Sequence, residues 1–71
     1  MTMNNLYTIR TAKGMTQTKL AELSGINARQ IRKIESGEIK TRNITIGTIT
    51  ALAHALGVGI EELIKENTEK H

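Results

Sequence analysis

Cysteine is missing from this chain, and so are proline, tryptophan, phenylalanine and aspartate. Without cysteine there is no disulfide framework, no thiolate metal site and no thiol nucleophile, which fits a reducing compartment. Tyr7 is the sole aromatic residue. That argues against recognition by stacking, the device of single-stranded nucleic-acid platforms. No apolar run approaches the roughly 20 residues needed to cross a bilayer. The start, MTMNNLY, has none of the features of a signal peptide, so a cytoplasmic location away from membranes is expected. Enzymatic chemistry has little to work with. His54 and His71 are the only histidines, and Ser24 and Ser36 fall in turns rather than in a nucleophile motif. No pair of residues has metal-ligand spacing. A non-enzymatic protein without metal or cofactor is expected.

What is present is positive charge, unevenly placed. The formal net charge is +3 and the isoelectric point about 9.6, in the range of nucleic-acid-binding domains. Residues 1–43 carry eight Lys and Arg against three Glu, a balance of +5. Residues 44–71 carry two Lys against four Glu, a balance of −2. One surface is therefore suited to a polyanion and another is not.

At 71 residues the chain is read as a single domain over residues 1–71, with residues of about 4–66 folded and short frayed ends. Helix 1 is expected from Asn4 or Asn5 to Lys13, with Leu6, Ile9 and Ala12 inward and Gly14 as its stop. Thr16 caps helix 2, which runs to Ser24 with Leu20 and Leu23 on its apolar side and Ala21 as a small contact. Helix 3 spans Ala28 to about Glu35. The stretch Glu38 to Asn43 has no helical period and reads as a basic loop. Thr45 caps helix 4, whose apolar positions are Ile46, Ile49, Leu52, Ala53 and Leu56, and Gly57 ends it. A last helix starts at Gly59, runs through Leu63 and Ile64, and fades between Glu66 and His71.

Four of these starts share a further regularity. Apolar residues fall at the positions before the cap and at the fourth helical residue: Met15 with Leu20, Ile26 with Ile31, Ile44 with Ile49, and Val58 with Leu63. These are the sites of a hydrophobic staple. Sustained strand alternation is absent. The expected fold is all-α, with five helices and short connections.

The centre of the chain, residues 16–37, is helix, glycine-containing turn and helix within about 20 residues, the helix-turn-helix pattern, with double-stranded DNA as leading partner. Ser24-Gly25-Ile26 breaks the first helix, because glycine takes a left-handed backbone without a steric penalty. Asn27 restarts the chain as an N-cap, with Gln30 placed to complete a capping box. On the second helix Ile31 and Ile34 share one face, while Arg29, Arg32 and Lys33 project from the opposite side. Such charges would equally serve as ordinary solvated covering. The turn, the caps and the neighbouring cations Lys40 and Arg42 favour DNA.

These residues resemble the Cro and phage-repressor-like (Xre-like) family of helix-turn-helix regulators over roughly residues 5–65. The resemblance rests on Leu6, Ile9 and Arg10, on GMTQTKLAELSGI, on Ile31 to Gly37, and on TIGTITALAHALGVGIEEL. It implies a five-helix, lambda-repressor-like domain with helix 3 as the recognition helix in the major groove. It also implies DNA contacts at Gln17, Asn27, Ala28, Arg29, Arg32, Lys33, Lys40, Arg42 and Asn43. Among these, Gln17 would stand near a phosphate and bridge to a side chain on helix 3. Arg29 would pair with guanine, Lys33 would read an edge or a phosphate, and Ala28 would matter for its size, through a thymine methyl contact or close approach. Arg10 and Glu35 resemble an internal ion pair of some members. The implied function is a sequence-specific transcriptional regulator, a repressor binding a pseudo-palindromic operator as a homodimer. Val58, Ile60 and Ile64 are its candidates for the dimer contact. The competing expectation is an antitoxin-like module whose main partner is another protein.

Overall fold

The computed structural model describes residues 5–64. Its elements are α1 (Leu6–Ala12), α2 (Gln17–Ser24), α3 (Ala28–Ser36), a 3-10 turn (Thr41–Asn43), α4 (Ile46–Leu56) and α5 (Ile60–Ile64). Five α-helices and no strand occur among the described residues, so the fold is all-α. The alternative start of the first helix at Asn4 and the end from Glu66 to His71 lie outside the described residues.

The caps explain where the helices begin. Thr16 Oγ1 accepts from the Lys19 amide at 3.0 Å, and Thr45 Oγ1 accepts from the Thr48 amide at 3.2 Å. Each bond satisfies one of the amides that a helix start leaves without a carbonyl partner. Asn27 Oδ1 caps α3 by accepting from the Arg29 amide at 2.7 Å. The capping box with Gln30 does not form: Asn27 Oδ1 accepts from the second helical amide rather than the third, and among the described residues no Gln30 side-chain bond returns to the Asn27 amide. α1 has no side-chain cap. Its start is held from across the fold, where the Asn5 amide donates to the Leu63 carbonyl (3.2 Å) and Asn5 Nδ2 to the Glu62 carbonyl (3.0 Å). The stretch from Glu38 to Asn43 is not wholly irregular, since a 3-10 turn closes it with the Asn43 amide donating to the Lys40 carbonyl at 2.8 Å.

The core consists of Leu6, Leu20, Ile31, Ile34, Ile49, Leu52, Ala53, Leu56 and Leu63. In each of the four staple pairs the later residue is buried and the earlier one is half-buried against this core. α2 packs against both α3 and α4, and α4 packs against α5.

Three inward assignments fail. Leu23 is 52% exposed, Ile46 is 70% exposed and Ala12 is exposed. On α2 the covered positions are Gln17, Leu20, Ala21 and Ser24, and their mean direction lies about 110° round the helix from Leu23. On α4 the buried stripe is Ile49, Leu52, Ala53 and Leu56, with Ile46 at its edge and in the first turn. On α1 it is Arg10, not Ala12, that completes the covered side with Leu6 and Ile9.

Two glycines make a stability prediction with opposite signs. Gly25 closes α2 at φ +77°, where a side chain costs about 1–2 kcal/mol even though nothing lies within 4 Å of an added Cβ. Gly47, inside α4, has equally open space and no positive φ. Gly25→Ala should therefore lower the urea midpoint, whereas Gly47→Ala should raise it by the equivalent of about 0.5–1 kcal/mol. A rise for both would mean that the turn relaxes out of the left-handed region.

Candidate nucleic-acid interface

The helix-turn-helix unit is α2, the turn Gly25–Asn27 and α3. The Gly25 amide donates to the Ala21 carbonyl at 2.9 Å, closing α2 so that the chain reverses within three residues. α3 then leaves the turn with Ile31 and Ile34 buried, and its opposite side faces out. Arg29 and Arg32 are exposed there and Lys33 is half-buried. At the start of the helix Asn27 is exposed and Ala28 half-buried. Beyond its end Lys40, Arg42 and Asn43 are exposed around the 3-10 turn. Among the described residues the only ion pair is Arg10–Glu35, so none of these five cations is neutralised by a carboxylate.

Behind this surface lies a buried polar junction. Arg10 Nε donates to Glu35 Oε2 at 2.5 Å and Arg10 Nη2 to Glu35 Oε1 at 3.0 Å, a two-pronged pair between α1 and α3. Arg10 Nη1 donates to the Met15 carbonyl at 2.7 Å, in the turn before α2. Gln17 Nε2 adds a third donor to the carboxylate, reaching Glu35 Oε1 at 3.0 Å from the first turn of α2. One carboxylate thus ties α1 and α2 to α3. Both charges are almost fully buried, and hydrogen bonds to an ionised partner are the stronger kind. Its hydrogen bonding to the Glu35 carboxylate is the main reason that the Arg10 guanidinium holds its proton more tightly than usual. Burial opposes this, and the carboxylate's charge adds to it. The Tyr7 ring lies 5.4 Å from the guanidinium carbon on the same helix.

Gln17 thus reaches α3 by an amide hydrogen. Asn5, Met15 and Tyr7 also take up such roles, beyond those expected from the sequence. Tyr7 had a usable signal, an aromatic three residues before Arg10 on one helix. Asn5 and the Met15 carbonyl had none, because their partners are set by the packing of α1 on α5 and of α1 on the turn. Val58 and Ile60 are half-buried against the chain's own core, while Ile64 is 39% exposed.

A helix-turn-helix on a five-helix frame with an outward cationic second helix defines a class, the DNA-binding transcriptional regulators. The helix-turn-helix family model matches residues 6–63, and the chain belongs to that family. The control protein C.SmaI of Serratia marcescens is 33% identical over 60 residues, covering 84% of this chain and 68% of that protein. An uncharacterised HTH-type transcriptional regulator, y4dJ of Sinorhizobium fredii, is 35% identical over 66 residues, covering 93% and 82%. Among solved structures, the restriction-modification controller protein C.AhdI of Aeromonas hydrophila superposes with a TM-score of 0.74 at 39% identity, covering 83% of this chain and 85% of that one. The protein is a Cro/C1-type helix-turn-helix regulator from a non-enzymatic family that binds double-stranded DNA. No described helix is long and apolar enough to cross a membrane.

Proposed function

We propose that this protein is a cytoplasmic repressor that binds a pseudo-palindromic operator as a homodimer, each copy placing α3 in the major groove. The observation that carries this reading is the outward side of α3, where Arg29, Arg32 and Lys33 have no carboxylate partner among the described residues while the opposite side is anchored in the core. Arg29 presents a guanidinium for the paired acceptors of a guanine, and Lys33 reads an edge or a phosphate further along. Arg32, Lys40, Arg42 and Asn43 hold the backbone. Asn27 and Gln17 flank the groove at the two helix starts, and Ala28 leaves room for close approach. Half-sites spaced by about 34 Å would let two copies bind one face of the duplex. The likeness to C.AhdI makes genes of a restriction-modification system the first place to look for targets.

The test is fluorescence anisotropy on duplex from upstream of the protein's own gene, with random duplex as competitor and at several salt concentrations. Binding to the upstream fragment should be the tighter, and each phosphate neutralised should add about 0.9 to the log–log salt slope. Arg29→Ala should weaken upstream binding by about 1–3 kcal/mol while changing random-duplex binding far less. Equal loss on both duplexes would reassign Arg29 to the phosphate backbone. No binding at low salt would end the operator reading.

A further inference from the structure

Glu38 stands where two local rules disfavour a carboxylate. It follows Gly37, the left-handed C-cap of α3 at φ +87°, and so lies at the carbonyl end of that helix, where the dipole favours cations. It also falls between Lys33, in the last turn of α3, and Lys40 and Arg42 around the 3-10 turn, within the stretch of a DNA-binding chain that carries the exposed cations. Among the described glutamates it alone breaks both rules. Glu61 and Glu62 occupy the first turn of α5, where the dipole suits them, and Glu35 is paired with Arg10. Glu22 lies on α2, before that cationic stretch. A residue that breaks local rules without an evident structural gain is where function is to be sought.

The backbone fixes where this carboxylate is presented. The Gly37 amide donates to the Ile34 carbonyl at 3.2 Å, the Glu38 amide to Ser36 Oγ at 3.3 Å and the Ile39 amide to the Lys33 carbonyl at 3.2 Å. The Ser36 hydroxyl in turn donates to the Lys33 carbonyl at 3.1 Å. Ile39 packs against the core directly after Glu38. Residue 38 is therefore pinned to the end of α3 from both sides, and its exposed side chain goes wherever that helix goes. Among the described residues no cation forms an ion pair with it, so its charge meets solvent uncompensated.

We propose that Glu38 is a specificity-determining residue that acts by repulsion, penalising poses on DNA that are held by the phosphate backbone alone. The proposal rests on the reading of α3 as the helix that enters the major groove. On random duplex the protein is held by cations on phosphates, with no base contact to fix its orientation. A pose that engages both Lys33 and the Lys40–Arg42 group carries Glu38 to the same backbone, because it is pinned between them. Two like unit charges about 4 Å apart in water repel enough to weaken binding about fivefold. On a specific site, base contacts from Asn27, Ala28 and Arg29 at the front of α3 select one pose. Glu38 and the helix dipole then act in the same sense, turning the N-terminal end of α3 toward the duplex and its C-terminal end away. Like-charge contacts of this kind exclude wrong alignments and fix register.

The test compares the wild-type chain, Glu38→Gln and Glu62→Gln by fluorescence anisotropy on two duplexes at several salt concentrations. One duplex is random, and the other is the sequence that the wild-type chain selects from a random pool. Glu62→Gln makes the same change of net charge on α5 and separates a local effect from a global one. On random duplex at low salt Glu38→Gln should bind about fivefold tighter than the wild type. Its log–log salt slope should steepen by up to about 0.9. Glu62→Gln should stay close to the wild type, since charges beyond a Debye length are screened. On the selected duplex Glu38→Gln should gain clearly less, so that its preference for that duplex falls. Its melting temperature should equal or exceed the parent's, because an anion leaves a helix C-terminus. Equal gains on both duplexes would make Glu38 a general brake on affinity and overturn the specificity role. Weaker binding to the selected duplex would make the carboxylate an acceptor for a base amino group and overturn repulsion. No change on either duplex would place Glu38 away from DNA and overturn the proposal as well. A pool that yields no preferred sequence would end the operator reading itself, an outcome distinct from a selected sequence on which the variant gains equally.

Discussion

Glu35→Ala should destabilise the fold by about 3–5 kcal/mol, because it leaves the Arg10 guanidinium buried with its charge uncompensated. The structure shows how little would remain for that charge. Two of its three donors lose their acceptor, and only the Met15 carbonyl at 2.7 Å stays in place. Gln17 loses its partner as well. For a chain of 71 residues, total stability is on the order of 4–10 kcal/mol, so the substitution removes a large part of it. In a domain of this size each kcal/mol shifts the melting temperature by about 4–8 °C, so a drop of at least about 12 °C is expected by circular dichroism. The reverse experiment separates cost from benefit. An Arg10→Met, Glu35→Leu double variant removes both charges and should recover much of the loss, since a buried pair replaced by packed apolar groups is often neutral. A single variant that melts within a few degrees of the parent would show that water reaches Arg10 and that the pair is not a structural link.

Ile31→Ala carries the second large effect, about 2–5 kcal/mol from lost burial and the cavity left behind. Ile31 is fully buried in the core on the inner side of α3, and Ile26 packs on the same core from just before the cap. The substitution tests whether the two sides of α3 are separable. Its outer side, with Arg29, Arg32 and Lys33, is untouched. At a temperature low enough for the variant to stay folded, random duplex at low salt should bind it as it binds the parent, while the urea midpoint falls sharply. An unchanged urea midpoint with lost DNA binding would mean that Ile31 acts at the interface rather than under it.

How far the sequence reached depended on the range of the physics at each residue. The starts of α2, α3 and α4 were legible because their causes lie within four residues. Thr16, Asn27 and Thr45 accept from amides two or three residues on, and the left-handed glycines at 14, 25, 37 and 57 close or follow the helices before them. The staple pairs were legible for the same reason, and with them most of the core. A helix-turn-helix with outward cations on its second helix then follows from local rules alone.

What the packing decided lies beyond that range. A helical pattern names a set of apolar positions, but which part of the circumference is covered depends on where the neighbours sit. Leu23 and Ile46 are compatible with an inward stripe by spacing and are nonetheless exposed, because the cover from the rest of the fold is centred elsewhere on each helix. Gln30 fits a capping box by position, yet Asn27 Oδ1 accepts from the Arg29 amide instead of the Gln30 amide. Glu35 gathers Arg10, 25 residues away, and Gln17, 18 residues away, into one junction that no local rule specifies. The sequence by itself determined the helices, their caps and the sign of the exposed charge. The tertiary structure alone decided which isoleucines and leucines remain at the surface, because burial is a property of neighbours brought together from distant parts of the chain.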